Sequence, residues 1–354
     1  MKTKLQKIKL VTALAVLFLG LIACTNPPPS TKNSKENTEE SAKEMPGTGV
    51  RVSSSSSVST YAIFLTEIVN IGLENLGYET KAVKQLAIPM AHVSVSNGDV
   101  DFYGVHWEKL QEKFFTESGG EEKIERVGVI IPNVIQGYQI DKNTADKYNI
   151  TNLEQFKDPK IAKLFDSDGD GKANLTGCNP GWGCELVIDH QLDAYGLGDT
   201  VEHDRGNYDV LLASTIARQR QGKSIFYYAY TPHWSAIVLK LGKDANWLEV
   251  PFTSLPKEQG TVTVEDTSVD GKNLGFAVDR IRVIANKEFL TANPAAKRLF
   301  ELVEVPIEDV NAQQQLVNEG ENTPQEIRRH SEDWVQKNQE LFDSWVEDAR
   351  KSAL

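Results

Sequence analysis

Cys178-Asn-Pro-Gly-Trp-Gly-Cys184 places two cysteines six positions apart. The spacing suits a small ring enclosing Pro180, two glycines and Trp182. Directly after it, Glu185-Leu-Val-Ile-Asp-His190 has the pattern of a helix start. A helix offers its first N–H groups unpaired, and its dipole favours negative charge there. A ring that fixes Trp182 beside such donors suits a small ligand with an anionic group and a soft cationic group.

The chain has three cysteines, and Cys24 serves another purpose. Residues 1–24 carry Lys2, Lys4, Lys7 and Lys9, then an apolar run from Leu10 to Ile22, then Leu21-Ile22-Ala23-Cys24. A basic n-region, an apolar h-region and a small residue before the cut define a secretory leader. A cysteine directly after the cut marks a bacterial lipoprotein, with the thiol acylated. The apolar run is shorter than the roughly 20 residues of a spanning helix. Cys178 and Cys184 then remain for each other in an oxidising compartment. For so short a loop, a bridge contributes about 2 kcal/mol, so it matters more for local shape.

Residues 25–47 are polar, Pro-rich at the start and then charged, a composition that cannot bury a core and reads as a tether. About 310 residues remain beyond it, large for one core and natural for two lobes. A net charge of −12 excludes a basic stripe for phosphates, so nucleic acid is not an expected partner. The expectation is an extracytoplasmic, membrane-anchored lipoprotein whose body is monomeric.

From Gly49 the chain alternates short apolar runs with helical patterns. Val50–Val52 is a candidate strand, Ser53–Ser57 a polar turn, and Tyr61–Leu73 a helix ending before Gly77. Strands are expected at Lys81–Ile88, Asp99–Val105, Val127–Ile131, Gln136–Ile140, Ser224–Tyr230 and Phe276–Ala285. A helix opens at Asn152–Phe156, and the chain is mostly helical from Pro294. This alternation implies an α/β architecture with largely parallel sheets. The Tyr138 region carries the chain out of a first lobe (residues 48–138 and 278–354), and the Phe276–Ala285 strand returns it. The second lobe, 139–277, is then an insertion joined by two hinge strands. Ligand sites favour such clefts and the carboxyl ends of parallel strands. Trp107, Trp182 and Tyr230 all sit where they could meet there.

Four segments carry a family resemblance: Asp158-Pro-Lys-Ile-Ala-Lys-Leu-Phe165, Asp166-Ser-Asp-Gly-Asp-Gly-Lys-Ala-Asn-Leu-Thr-Gly177, Cys178-Asn-Pro-Gly-Trp-Gly-Cys-Glu185, and Phe226-Tyr-Tyr228 with Thr231-Pro232. The chain resembles the ProX-type substrate-binding proteins for glycine betaine and proline betaine, which serve osmoprotectant ABC importers. The likeness runs from about Gly49 to near the C-terminus. It implies a two-lobe type II periplasmic-binding-protein fold that closes on its ligand by hinge rotation. It also implies an aromatic box at Trp107, Trp182 and Tyr230, an ABC permease as partner, and no cofactor or catalysis.

The chemistry of such a box follows from its ligand. A trimethylammonium group has no N–H to donate, and aromatic faces offer it negative quadrupole and apolar area, worth about 0.5–2 kcal/mol per ring. Backbone N–H groups of Gly183 and Cys184 suit the betaine carboxylate. The family pattern usually has a third tryptophan where this chain has Tyr230, and a histidine where it has Gln111. Glutamine donates a hydrogen bond without titrating, so binding should vary little between about pH 5.5 and 8. His106 should point to the strand face opposite Trp107. Tyr61, Asn207-Tyr208 and His233-Trp234 either line the cleft or pack. Asp166, Asp168 and Asp170 resemble the front of a calcium loop, but position twelve is Gly177 rather than glutamate. A solvated Asx-rich turn is favoured over a weak cation site. Another quaternary amine such as choline or carnitine is the alternative ligand. A hydrolase acting on such amines is the reading from a different class, and no Gly-x-Ser-x-Gly elbow supports it.

Overall fold

The computed structural model describes residues 45–353. The leader, Cys24 and the tether as far as residue 44 lie outside the described residues. The last tether residues are packed rather than loose, since Gly47 N–H donates to the Leu76 carbonyl at 2.9 Å. No helix among the described residues is long and apolar enough to cross a membrane.

Ten strands build two sheets: β1 (Ser54–Ser56), β2 (Lys84–Gln85), β3 (Phe102–Trp107), β4 (Ile124–Val134), β5 (Gln136–Asp141), β6 (Ala173–Thr176), β7 (Val201–Asp204), β8 (Phe226–Tyr230), β9 (Ala245–Leu248) and β10 (Asp279–Asn286). The first sheet has the order β2-β1-β3-β10-β4, the second β9-β5-β8-β6-β7. The chain passes between sheets at Ile135 and returns with β10, which lies antiparallel between β3 and β4. In the second sheet β5 runs antiparallel to β8 and β9, while β6 is parallel to β7 and β8.

Each sheet is therefore mixed rather than largely parallel. The strands at the crossings enter from the other sheet and run against neighbours formed by right-handed crossovers. Two local expectations also change. Ser53–Ser57 is a buried stretch containing a central strand, not a turn, because its backbone pairs on both sides with β2 and β3. Lys81–Ile88 is strand only at Lys84–Gln85, and Ile88 already begins α2 (Ile88–Asn97), helped by Pro89 in its first turn. The strand expected over Phe276–Ala285 begins at Asp279, and the helix expected to open at Asn152–Phe156 is a short 3₁₀ helix, Leu153–Lys157, capped by Asn152.

Helix α1 (Thr60–Asn75) is apolar on nearly every side, which requires burial all round. It lies between the first sheet and the C-terminal helices. Its approach to β3 is close, since a Cβ on Gly104 would sit 2.3 Å from Thr66 Oγ1. The outer cover is helical: α3 (Glu112–Glu117), α4 (Gly183–Ala194), α5 (Tyr208–Arg220), α6 (Pro294–Leu302), α7 (Ile307–Asn318), α8 (Pro324–Lys337) and α9 (Gln339–Lys351). In α8 and α9, Ile327, Trp334, Phe342 and Trp345 point inward while the acidic residues face water. Beneath the second sheet, Phe156 packs against Phe226 and Phe165 at 4.5 and 4.9 Å between ring centroids.

Candidate functional site

One cavity gathers Trp107, Gln111, Trp182, Gly183, Cys184 and Tyr230 from both sheets, together with Ser57, Ser59, Tyr61, Tyr103 and Tyr228. Each arrives by a different route. Trp107 ends β3 and Tyr230 ends β8. Trp182 caps α4, whose first two residues are Gly183 and Cys184. Gln111 leads into α3.

Tyr230 is the centre of the aromatic arrangement. Trp107 stands edge-on to it at 5.9 Å and 83°, and Trp182 does the same at 6.1 Å and 76°. Tyr61 tilts against it at 6.1 Å. Trp107 and Trp182 thus each meet Tyr230 near a right angle, and all four rings border the same cavity. Trp107 is held in its rotamer by an indole N–H that donates to the Tyr61 hydroxyl at 3.0 Å. Behind Tyr230 lie Tyr208 and His233, at 5.6 and 4.8 Å between centroids. Tyr61 thus belongs to the cavity, whereas Tyr208 and His233 support it from behind. The sequence left Tyr61 open between lining the cleft and packing, because it also reads as one apolar position of a helix.

The disulfide joins Cys178 and Cys184 across a Cα–Cα separation of 6.4 Å. Inside the ring, Glu185 accepts a hydrogen bond from Gly181 N–H at 2.7 Å, tying the loop to the first turn of α4. Trp182 supplies no side-chain cap, so the Gly183 and Cys184 N–H groups have no intrahelical acceptor, and both residues line the cavity. Gly183 also marks where the two sheets' halves touch, because a Cβ there would lie 2.2 Å from the Leu110 carbonyl oxygen. Only glycine admits that approach.

Gln111 is buried, and its Oε1 has no partner within the protein. Rotation of the amide presents Nε2 to the same space. Behind it, His106 occupies the opposite face of β3, as expected. The Arg126 guanidinium can only donate, so His106 Nε2 accepts from it at 3.2 Å. His106 Nδ1–H then donates to His92 Nε2 at 3.0 Å, and His92 Nδ1–H donates to the Ile88 carbonyl at 2.8 Å. Burial holds both histidines well below their usual range, His92 at about 4. They are neutral supports.

Among the described residues, no carboxylate, ammonium or guanidinium lines the cavity. Burial raises the phenols of Tyr61, Tyr103 and Tyr230, so they stay protonated. Outside the lining, Asp279 stands at the start of β10. Its carboxylate accepts from Lys109 and Leu110 N–H at 3.0 and 2.9 Å, fixing the loop that leads to Gln111. Burial raises it to about 6 against those hydrogen bonds.

Asp166, Asp168 and Asp170 keep their oxygens within 4.8 Å of one another. Asp166 spends its carboxylate on its own turn, accepting from Gly169 and Gly171 N–H at 2.6 and 2.9 Å. This is the geometry of an Asx-rich turn, well apart from the cavity lining.

A two-lobed α/β body of type II periplasmic-binding-protein build, with an aromatic cavity where its sheets meet, defines a solute-binding protein. The chain belongs to the family described as the substrate-binding domain of ABC-type glycine betaine transport systems, which it matches over residues 50–337. It is 46% identical over 314 residues to the glycine betaine-binding periplasmic protein OusX of Dickeya dadantii, covering 88% of this chain and 93% of that protein. It is 44% identical to the glycine betaine/proline betaine-binding periplasmic protein of Escherichia coli, over 88% and 94% of the two chains. In fold it is similar to the crystal structure of a glycine betaine, L-proline ABC transporter binding protein (ProX) from Borrelia burgdorferi. There the TM-score is 0.67 at 16% identity, over 86% of this chain and all of that one.

Proposed function

We propose that this chain captures glycine betaine or proline betaine outside the cytoplasm and hands it to an ABC permease, without chemical change to the ligand. The trimethylammonium group rests against Trp107, Trp182 and Tyr230, with Tyr61 as a further wall. The carboxylate receives the N–H groups of Gly183 and Cys184 and the amide of Gln111. The observation that carries this reading is the placement of near-perpendicular rings and unpaired helix-start donors in one uncharged cavity. A methylated cation gains from the ring faces and a carboxylate from the donors, so a ligand with both is favoured over one with either.

The halves on either side of the crossings at Ile135 and before Asp279 act as lobes that close over the ligand, so residues 136–138, expected in the first lobe, go with the second sheet. The leader 1–24 directs export, Cys24 carries the lipid anchor, and residues 25–44 form the free part of the tether. The body acts as a monomer. Support comes from the leader pattern and the named relatives, which bind betaines in the periplasm.

Titration of tryptophan fluorescence with glycine betaine, proline betaine, choline, carnitine and proline tests this reading. The betaines are expected to bind at least about tenfold more tightly than choline, which lacks the carboxylate. Equal or tighter choline binding, or no betaine binding, overturns it.

A further inference from the structure

Gln314 of α7 is fully buried although its side chain is polar, and it lines no cavity already described. It bridges the two halves of the protein. Its Oε1 accepts from the Trp234 backbone N–H at 3.1 Å, and Trp234 lies four residues beyond Tyr230, on the second-sheet side. Its Nε2 donates to Thr60 Oγ1 at 3.0 Å and to Gln313 Oε1 at 2.8 Å, both on the first-sheet side. The orientation of this amide is fixed, because a backbone N–H can only donate and so must meet the oxygen.

Both ends of the bridge adjoin the aromatic walls. Thr60 precedes Tyr61, which holds Trp107. Trp234 follows His233, which tilts against Tyr230 at 4.8 Å, and the Trp234 indole N–H donates to Asp209 at 2.8 Å. The position of the Trp234 N–H is therefore coupled to the position of the Tyr230 ring. On the first-sheet side Gln313 continues to His330, which pairs with Glu321 at 2.9 Å, so Gln314 projects from a fixed frame.

We propose that Gln314 is a positioning residue that clasps the two lobes shut over the ligand without touching it. This rests on the lobe-closing reading given above. When the halves separate, Trp234 N–H and Gln314 Oε1 part and must be rehydrated; when they meet, the bond forms in a water-free setting. The bond exists only in the closed form, so it slows ligand escape and leaves entry unaffected.

The test compares the wild type with Gln314→Leu, which keeps volume and loses all three hydrogen bonds. Stopped-flow fluorescence with glycine betaine is expected to show a dissociation rate raised about tenfold, with the association rate within about twofold of wild type. Thr60→Val, which removes one acceptor and leaves the Trp234 bond, is expected to raise it by less than about threefold. Gln314→Met, which also lacks the acceptor for Trp234, serves if the leucine variant does not fold; a dissociation rate above wild type is again expected. Unchanged dissociation in a folded Gln314 variant overturns the clasp. If the wild type binds no betaine, the ligand reading fails by itself. The same stopped-flow comparison with whichever ligand of the panel binds then decides: faster dissociation from the variant supports the clasp, and equal rates overturn it.

Discussion

The cavity's two sides are held in place by different means. On the first-sheet side, Trp107 leans on the Tyr61 hydroxyl, and Gln111 stands before a chain of neutral histidines ending at Arg126. On the second-sheet side, Trp182, Gly183 and Cys184 are held by a covalent ring and a helix start, and Tyr230 by stacked aromatics. Hydrogen bonds fix direction but yield in small steps, whereas a closed ring of seven residues leaves little room for adjustment. The rigid second-sheet side holds Trp182, Tyr230 and the start of α4, and the more adjustable first-sheet side holds Trp107 and Gln111.

The largest expected effect breaks the rigid side. Trp182→Ala removes a ring wall while leaving the disulfide and the α4 donors, and should weaken glycine betaine binding by about 100-fold or more. Calorimetric titration measures it, with the melting temperature checked for an intact fold. Retained affinity in that variant would remove Trp182 from the site.

A smaller loss is expected where the sides touch. Gly183→Ala drives a methyl group into the Leu110 carbonyl and should cost about tenfold to 50-fold in affinity, mainly through incomplete closure. If the variant binds normally, the close approach of the two sides is unnecessary for binding.

The smallest effect concerns pH. His92, His106 and His233 are all held low by burial, so affinity should change by less than about threefold between about pH 5.5 and 8. Asp279 is the exception in the frame, raised to about 6, and its signature lies in stability. A carboxyl with a raised folded pKa binds its proton more tightly when native. Its contribution is complete below about pH 4 and is lost as pH rises through about 6. Relative to Asp279→Asn, wild-type unfolding free energy should therefore fall by about 2–3 kcal/mol from pH 4 to 7. Urea unfolding at three pH values tests this, and a constant difference between the proteins would contradict it.

Legibility in the sequence followed distance along the chain. The ring, Trp182 and the donors beside it lie within a few residues, so their spacing expressed their geometry. Trp107 and Tyr230 were readable as aromatics closing apolar strand runs. Tyr61 was left undecided between lining and packing, because its role depends on α1 settling against β3 through Gly104. Ser53–Ser57 misled for a related reason: five serines look like a turn until two neighbouring strands claim their backbone. Strand direction was illegible as well, since nothing local records that β10 arrives from the far side.

A lining without formal charge has a consequence for selection. On the proposed reading, ring faces meet one pole of the ligand and amide protons the other, so what such walls complement is a dipole moment of a given length. A lone ion would leave one end of that field unanswered, and a longer zwitterion would overshoot it.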